Sequence, residues 1–196
     1  MYQLYKQSHD WLDQSRKLNF LGPLLLRLYL APVFWLAGTN KLADMDSVIS
    51  WFGNDDWGLG LPIPAFFSWA AVLTEVLGAI LLVAGLAVRW ISIPLMITML
   101  VAMFAVHWPN GWQAVADPMS AFAGEGVGEA IRRLDIAKDI LKEHGNYSWL
   151  TEKGSLVVSN NGIEWAFTYF VMCLVLFFNG AGRYASVDYY LAKKYK

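Results

Sequence analysis

The sequence predicts an all-α fold, an integral-membrane antiparallel four-helix bundle with an amphipathic helical insertion between its third and fourth helices. Three observations predict it. Four stretches, roughly 21–42, 64–87, 89–108 and 162–181, are apolar enough to span a bilayer, which takes about 20 such residues. Apolar residues make up 57% of the chain and charged residues 16%, against about 25% charged in a soluble domain. Arg27, Glu75, His107 and Glu164 nevertheless stand inside those stretches, one in each, besides Lys41 and Arg89 at their ends. A charge in hydrocarbon is unfavourable by about 2.5 to 3.5 kcal/mol on insertion scales, so each calls for a partner, a cavity or a ligand.

The chain of 196 residues has the length of one domain. Its net charge of −1 argues against a nucleic-acid binder. A single cysteine, Cys173, excludes an intrachain disulfide and a cysteine-based metal cluster.

Residues 1–20 form the first segment. They contain no apolar run ending in a cleavage site, so no cleavable leader is expected. Leu4, Tyr5, Trp11 and Leu12 recur at helical spacing and predict an interfacial helix over Tyr2–Lys17. The transmembrane domain follows over 21–190. Pro32 in the first span and Pro94 in the third read as kinks that neighbouring helices tolerate. The link centred on Ala87–Arg89 is so short that the second and third spans must form a hairpin.

The segment 109–161 is too long for a plain connection. Within it Val127, Ala130, Ile131, Leu134, Ala137 and Leu141 repeat at helical spacing, with charges on the other faces. That predicts an amphipathic helix capping the bundle or lying on the membrane surface. In the fourth span, Asn161-Gly-Ile-Glu164 reads as an N-cap with a glutamate at the third helical position. Gly180 to Tyr184 reads as a helix stop. Residues 191–196 form a basic tail.

Orientation follows from the cations flanking the spans. Lys6, Arg16, Lys17, Arg89, Arg183, Lys193, Lys194 and Lys196 lie on one side. Near the other ends stand only Lys41 and Lys153, with Arg132, Arg133, Lys138 and Lys142 deeper in the insertion among acids. Both termini are therefore expected in the cytoplasm and 109–161 in the periplasm. Most of the tryptophans flank the spans as headgroup anchors.

Several motifs resemble those of the DoxX family of small four-helix bacterial membrane proteins. They are Ala37 to Leu42, Gly58 to Pro64, Thr74 to Gly78, His107 to Trp112, Asn161 to Trp165 and Gly180 to Tyr184. The resemblance covers about residues 20–190. The long insertion is similar to that of the HvfX-type branch found beside biosynthesis genes for copper-binding modified peptides. The resemblance implies a multi-pass protein of the bacterial inner membrane with redox or stress-response links.

Two layers of polar residues could carry chemistry. Glu75 shares its helical face with Ser68, Ala71, Gly78 and Ala79, so it is expected to point into the bundle. Arg27 is a geometrically plausible partner. Such a pair fixes helix register, or it serves as a proton-accepting or quinone-contacting group. His107, Glu164 and Lys41 are expected together at the outer rim, where imidazole and carboxylate could move a proton or bind a metal. Trp108 and Asn110, from the same motif as His107, join Arg27 and Lys41 as candidate ligand contacts. Met96, Met99, Met103 and His107 form a stripe whose thioethers and imidazole suit Cu(I), although methionine is also a common packing residue. Cys173 lies on the opposite face of its helix from Glu164 and reads as an apolar filler or a lipid-facing thiol.

Three functions fit these residues. One is an oxidoreductase, or a subunit of one, that handles quinone or a partner's electrons, with His107, Glu75 and Glu164 as catalytic candidates. The second is an accessory protein that docks a secreted peptide or periplasmic protein through 109–161. The third is a copper or small-ion carrier using His107, Met103 and Met99. A homo-oligomer is compatible with each.

Overall fold

The computed structural model describes residues 2–195. Lys196, the last of the flanking cations, lies outside them, as does Met1 of the predicted interfacial segment. Helices make up all the regular structure among the described residues, apart from one isolated antiparallel bridge between Val115 and Ser159. The order is α1 (Tyr2–Gln14), α2 (Leu21–Ala43), α3 (Met45–Gly53), α4 (Pro64–Ala84), α5 (Val88–Val101), α6 (Glu125–His144), α7 (Tyr147–Leu150), α8 (Glu164–Asn179) and α9 (Val187–Lys194). A 3-10 turn, Ser15–Leu18, follows α1. α5 continues into a π-helix, Ala102–His107, and then a 3-10 turn, Trp108–Asn110.

Among the described residues, three helices are long and apolar enough to cross a membrane: Leu21–Ala43, Pro64–Ala84 and Val88–Asn110. They match the first three predicted spans closely. The fourth predicted span is shorter, since α8 has 16 residues. At 1.5 Å per residue that is about 24 Å, below a hydrocarbon thickness of about 30 Å. Pro32 and Pro94 both sit inside continuous helices. The predicted loop after the first span contains α3, which Asp44 caps by accepting the Ser47 N–H at 3.2 Å.

The chain divides into two compact units, one running to Thr98 and resuming at Tyr169, the other Met99–Thr168. In the first unit α2 and α4 pack antiparallel. Arg27 meets Leu82, and Lys41 meets Glu75. Between them, a Cβ placed on Gly38 would lie 2.7 Å from the Val76 side chain and 3.0 Å from that of Glu75. In lipid, helices gain little from hydrophobic burial, so contacts this close carry the packing. In the α4–α5 hairpin a Cβ on Gly78 would lie 3.0 Å from the Leu95 side chain. Arg89 Nε donates to the Phe177 carbonyl at 2.8 Å and ties the start of α5 to α8. Leu30, Phe34, Val72, Leu82, Leu95, Cys173 and Leu176 are buried. Cys173 is thus a core filler and not a lipid-facing thiol.

In the second unit, residues 111–116 and 158–164 form a clasp that draws the ends of the insertion together. Ala116 N–H donates to Val158 O at 3.0 Å and Asn160 N–H to Ala114 O at 2.9 Å. The N–H groups of Gly162, Ile163 and Glu164 donate to the carbonyls of Gln113, Gly111 and Trp112 at 2.8 to 2.9 Å. Trp112 packs between Phe122 and Phe167, with ring centroids 5.7 and 5.4 Å away. The predicted amphipathic helix is α6. Its Val127 is buried, and Ala130, Ile131, Leu134 and Leu141 are half-buried.

Candidate functional site

The first polar site lies on the seam of α2 and α4. Lys41 Nζ contacts both carboxylate oxygens of Glu75, at 2.6 and 2.7 Å. Glu75 is only 4% exposed, whereas the Lys41 side chain keeps 33% of its accessible surface. The pair therefore has one shielded member and one reachable member. Gly38 creates this arrangement: it lets α4 approach at Glu75 and Val76 one turn before Lys41, so the ammonium folds back onto the carboxylate.

This corrects the expected pairing of Arg27 with Glu75. Arg27 precedes Lys41 by 14 positions on α2, which is about 21 Å along the axis. With Gly38 level with Glu75, Arg27 lies toward the C-terminal end of α4. Its Nη1 donates to Leu82 O at 3.2 Å and its Nη2 to Ala185 O at 2.6 Å. Lys41, expected at the outer rim, has its ammonium committed to Glu75.

Arg27 belongs to a knot that the sequence did not disclose. Gly85 closes α4 in the left-handed region, at φ 66°. A Cβ there would stand 1.9 Å from Arg27 Nη1, so only glycine fits. Asp188 of α9 accepts the N–H groups of Ala87 at 2.7 Å and Val88 at 3.1 Å, capping α5 from 101 and 100 residues away. Arg27 Nε is buried without a hydrogen-bond partner among the described residues.

The second polar site lies in the other unit. His107 Nδ1 is 2.9 Å from the Asn161 carbonyl. A carbonyl only accepts, so Nδ1 is the donor, and in the neutral ring Nε2 presents its lone pair. Asn110 Nδ2 donates to the same oxygen at 3.0 Å, and Asn160 Nδ2 to Asn110 O at 2.7 Å. The backbone here is unusual on both sides. Asn161 sits in the left-handed region at φ 56°, and His107 closes the π-helix. Both features recur where a structure holds a functional side chain in place.

Glu164 goes elsewhere than expected. Its Oε2 accepts the Ala114 N–H at 3.0 Å and so fastens the clasp. Asn161 is not the helix cap, because α8 begins only at Glu164 and backbone carbonyls take the preceding N–H groups. His107 and Glu164 share a unit, but they do not bond each other among the described residues. Trp108 is exposed and stacks on Phe104 at 5.3 Å.

Met103 is buried, while Met96 and Met99 are half-buried. His107 lies in the π-helix, where the regular spacing of about 3.6 residues that defines the stripe no longer holds. Among the described residues, no three His, Cys, Asp or Glu side chains group as a metal-ligand set.

Residues 22–108 match the DoxX family. The matched stretch contains Arg27, Lys41, Glu75, His107 and Trp108, and it ends where the insertion begins. The fourth-span motif, expected within the resemblance, lies beyond it. The chain is 28% identical over 86 residues to a Bacillus subtilis (strain 168) protein named "Putative oxidoreductase CatD". That alignment covers 44% of this chain and 60% of the relative, so the chain spans less than two thirds of the curated protein it matches. No solved structure matches. The apolar helices and these similarities fit a DoxX-like membrane protein.

Proposed function

We propose that the chain is a multi-pass protein of the bacterial inner membrane, with both termini cytoplasmic, acting as an oxidoreductase subunit that uses a membrane quinone. α2, α4, α5 and α8 form its antiparallel four-helix bundle, and residues 109–161 form a periplasmic insertion. The Lys41–Glu75 pair is the observation that carries this reading. A shielded carboxylate facing a partly exposed ammonium in the bilayer is a proton-exchange couple that a quinone ring can approach from lipid. Reducing the ring takes two electrons from a partner subunit and two protons, which the couple relays from water one at a time. His107, with Nε2 free, serves as a second proton acceptor at the other polar site. Further support is the name of the relative, which is itself called an oxidoreductase.

The test is quinone reduction by the purified protein with its partner in proteoliposomes. Glu75→Gln and Lys41→Met should each lower turnover by roughly 10²-fold or more, the usual range for a positioned proton donor or acceptor. Unchanged turnover in both, with no quinone in a lipid extract of the wild type, would sink the proposal.

A second reading has its own observation. Ile136 and Ile140 stand one turn apart on α6, each 55% exposed, and Trp149 is exposed nearby in sequence. An apolar strip on a periplasmic insertion suits an accessory protein that docks a secreted peptide. Deleting residues 113–150 should then abolish co-purification of that peptide, and retained co-purification would count against docking. The copper, stress-response and HvfX-type associations rest on the sequence resemblance alone, and the methionine stripe adds little to them.

A further inference from the structure

A cleft of about 580 Å³ opens between the start of α2 and the end of α8. Pro23, Leu26 and Val175 line it with apolar surface. Asn19, Arg183 and Tyr189 line it with polar groups. The split follows the membrane boundary, because α2 enters its apolar span at Leu21.

The charges lining the cleft are unequal in what they have left to bind. Asp188 also lines the cleft, but its two oxygens are engaged by the Ala87 and Val88 N–H groups. Asn179 donates its side-chain amide to Val175 O at 2.9 Å. Arg183 is exposed, and its guanidinium has no partner among the described residues. The cleft thus offers an uncommitted cation beside an apolar trough at the bilayer surface.

We propose that this cleft holds an anionic phospholipid, with the phosphate on Arg183 and one acyl chain along the trough of Leu26 and Val175. A guanidinium pairs with phosphate oxygens through two parallel donors. Cations at this depth favour anionic headgroups over zwitterionic ones. The inference needs only the membrane setting of α2 and α8 and is independent of any redox role.

Native mass spectrometry of the purified full chain in detergent tests it, with phosphatidylglycerol and phosphatidylethanolamine as probes. The wild type should bind phosphatidylglycerol about fivefold more tightly, because both lipids offer a phosphate to Arg183 but the ammonium of phosphatidylethanolamine cancels most of that attraction. Arg183→Gln should erase that preference, and Arg183→Lys should keep most of it. Arg132→Gln, an exposed change in the insertion, should leave it intact. Equal binding of the two lipids by the wild type, or a preference surviving in Arg183→Gln, would overturn the proposal. So would displacement of the lipid by millimolar inorganic phosphate or by glycerophosphoglycerol, since the cleft would then read a free phosphate. Resistance to both competitors supports a lipid held by head and chain together.

Discussion

Single residues divide between those the sequence exposed and those it hid. Glu75 was legible as an inward carboxylate because small residues share its face. Its partner was not, since periodicity gives a face but no height, and the register of two helices decides which cation stands level with it. Asn161 and Asp188 were hidden for another reason. Asn161 acts through its carbonyl and Asp188 through contacts 100 residues away, and neither leaves a pattern in a row of letters. Two predictions belong at this scale. Replacing Glu75 alone with leucine strands the Lys41 ammonium, and the loss should be about 2 kcal/mol, less than the 3–5 of a fully buried pair because Lys41 is partly exposed. The Glu75→Leu/Lys41→Met double variant should recover most of it in thermal unfolding in detergent; a double variant as weak as the sum of the singles would remove the pairing from the stability account. In the ¹⁵N spectrum of labelled protein, the neutral form of His107 should show a protonated Nδ1 and an unprotonated Nε2. The reverse tautomer would mean that the Asn161 contact does not form in solution.

Among the elements, α2, α4, and α5 with its continuation to Asn110 emerged from hydropathy with nearly their observed ends, because apolar length is what lipid demands. α3 escaped because it is short and its apolar positions mimic an interfacial loop. The π turn escaped because it departs from the regular period on which helical pattern reading depends. Two elements can be tested separately. Gly38→Val should push α2 and α4 apart and separate Lys41 from Glu75, read as a lower melting temperature and loss of a disulfide engineered across that seam; unchanged packing would show that Val76 can yield. α3 should respond to acid. The Ser47 hydrogen bonds hold the Asp44 carboxyl below its ordinary value. Its contribution to the cap is therefore complete above the unfolded value, roughly 3.9, and is lost as the pH falls through the lowered folded value. Asp44→Asn should flatten that dependence, followed as amide exchange at Ser47 and Val48, and an identical acid response in the variant would assign the fraying to another group.

For the whole molecule, the fold class was legible in composition and hydropathy, since 57% apolar residues leave few other choices. The division into two units was visible only as an overlong connection, because the clasp at the ends of the insertion is built largely from backbone hydrogen bonds, which leave little pattern in the sequence. The proposed topology makes a molecule-wide prediction. In a Cys173→Ser background, a cysteine replacing Ile136 should react with a membrane-impermeant maleimide on intact spheroplasts. A cysteine replacing Lys193 should react only after permeabilisation. Labelling of both from outside would reverse or abolish the cytoplasmic placement of the termini.

The clasp between residues 111–116 and 158–164 also changes how the insertion relates to the rest of the gene product. Its two ends are already held side by side by backbone bonds and by Glu164. What lies between Asp117 and Val157 can then change in length with only a slowly growing loop-closure penalty. The position behaves as a socket: evolution can exchange the cassette plugged into it while the membrane helices keep their sequence. An engineer can use the same socket to display a foreign domain.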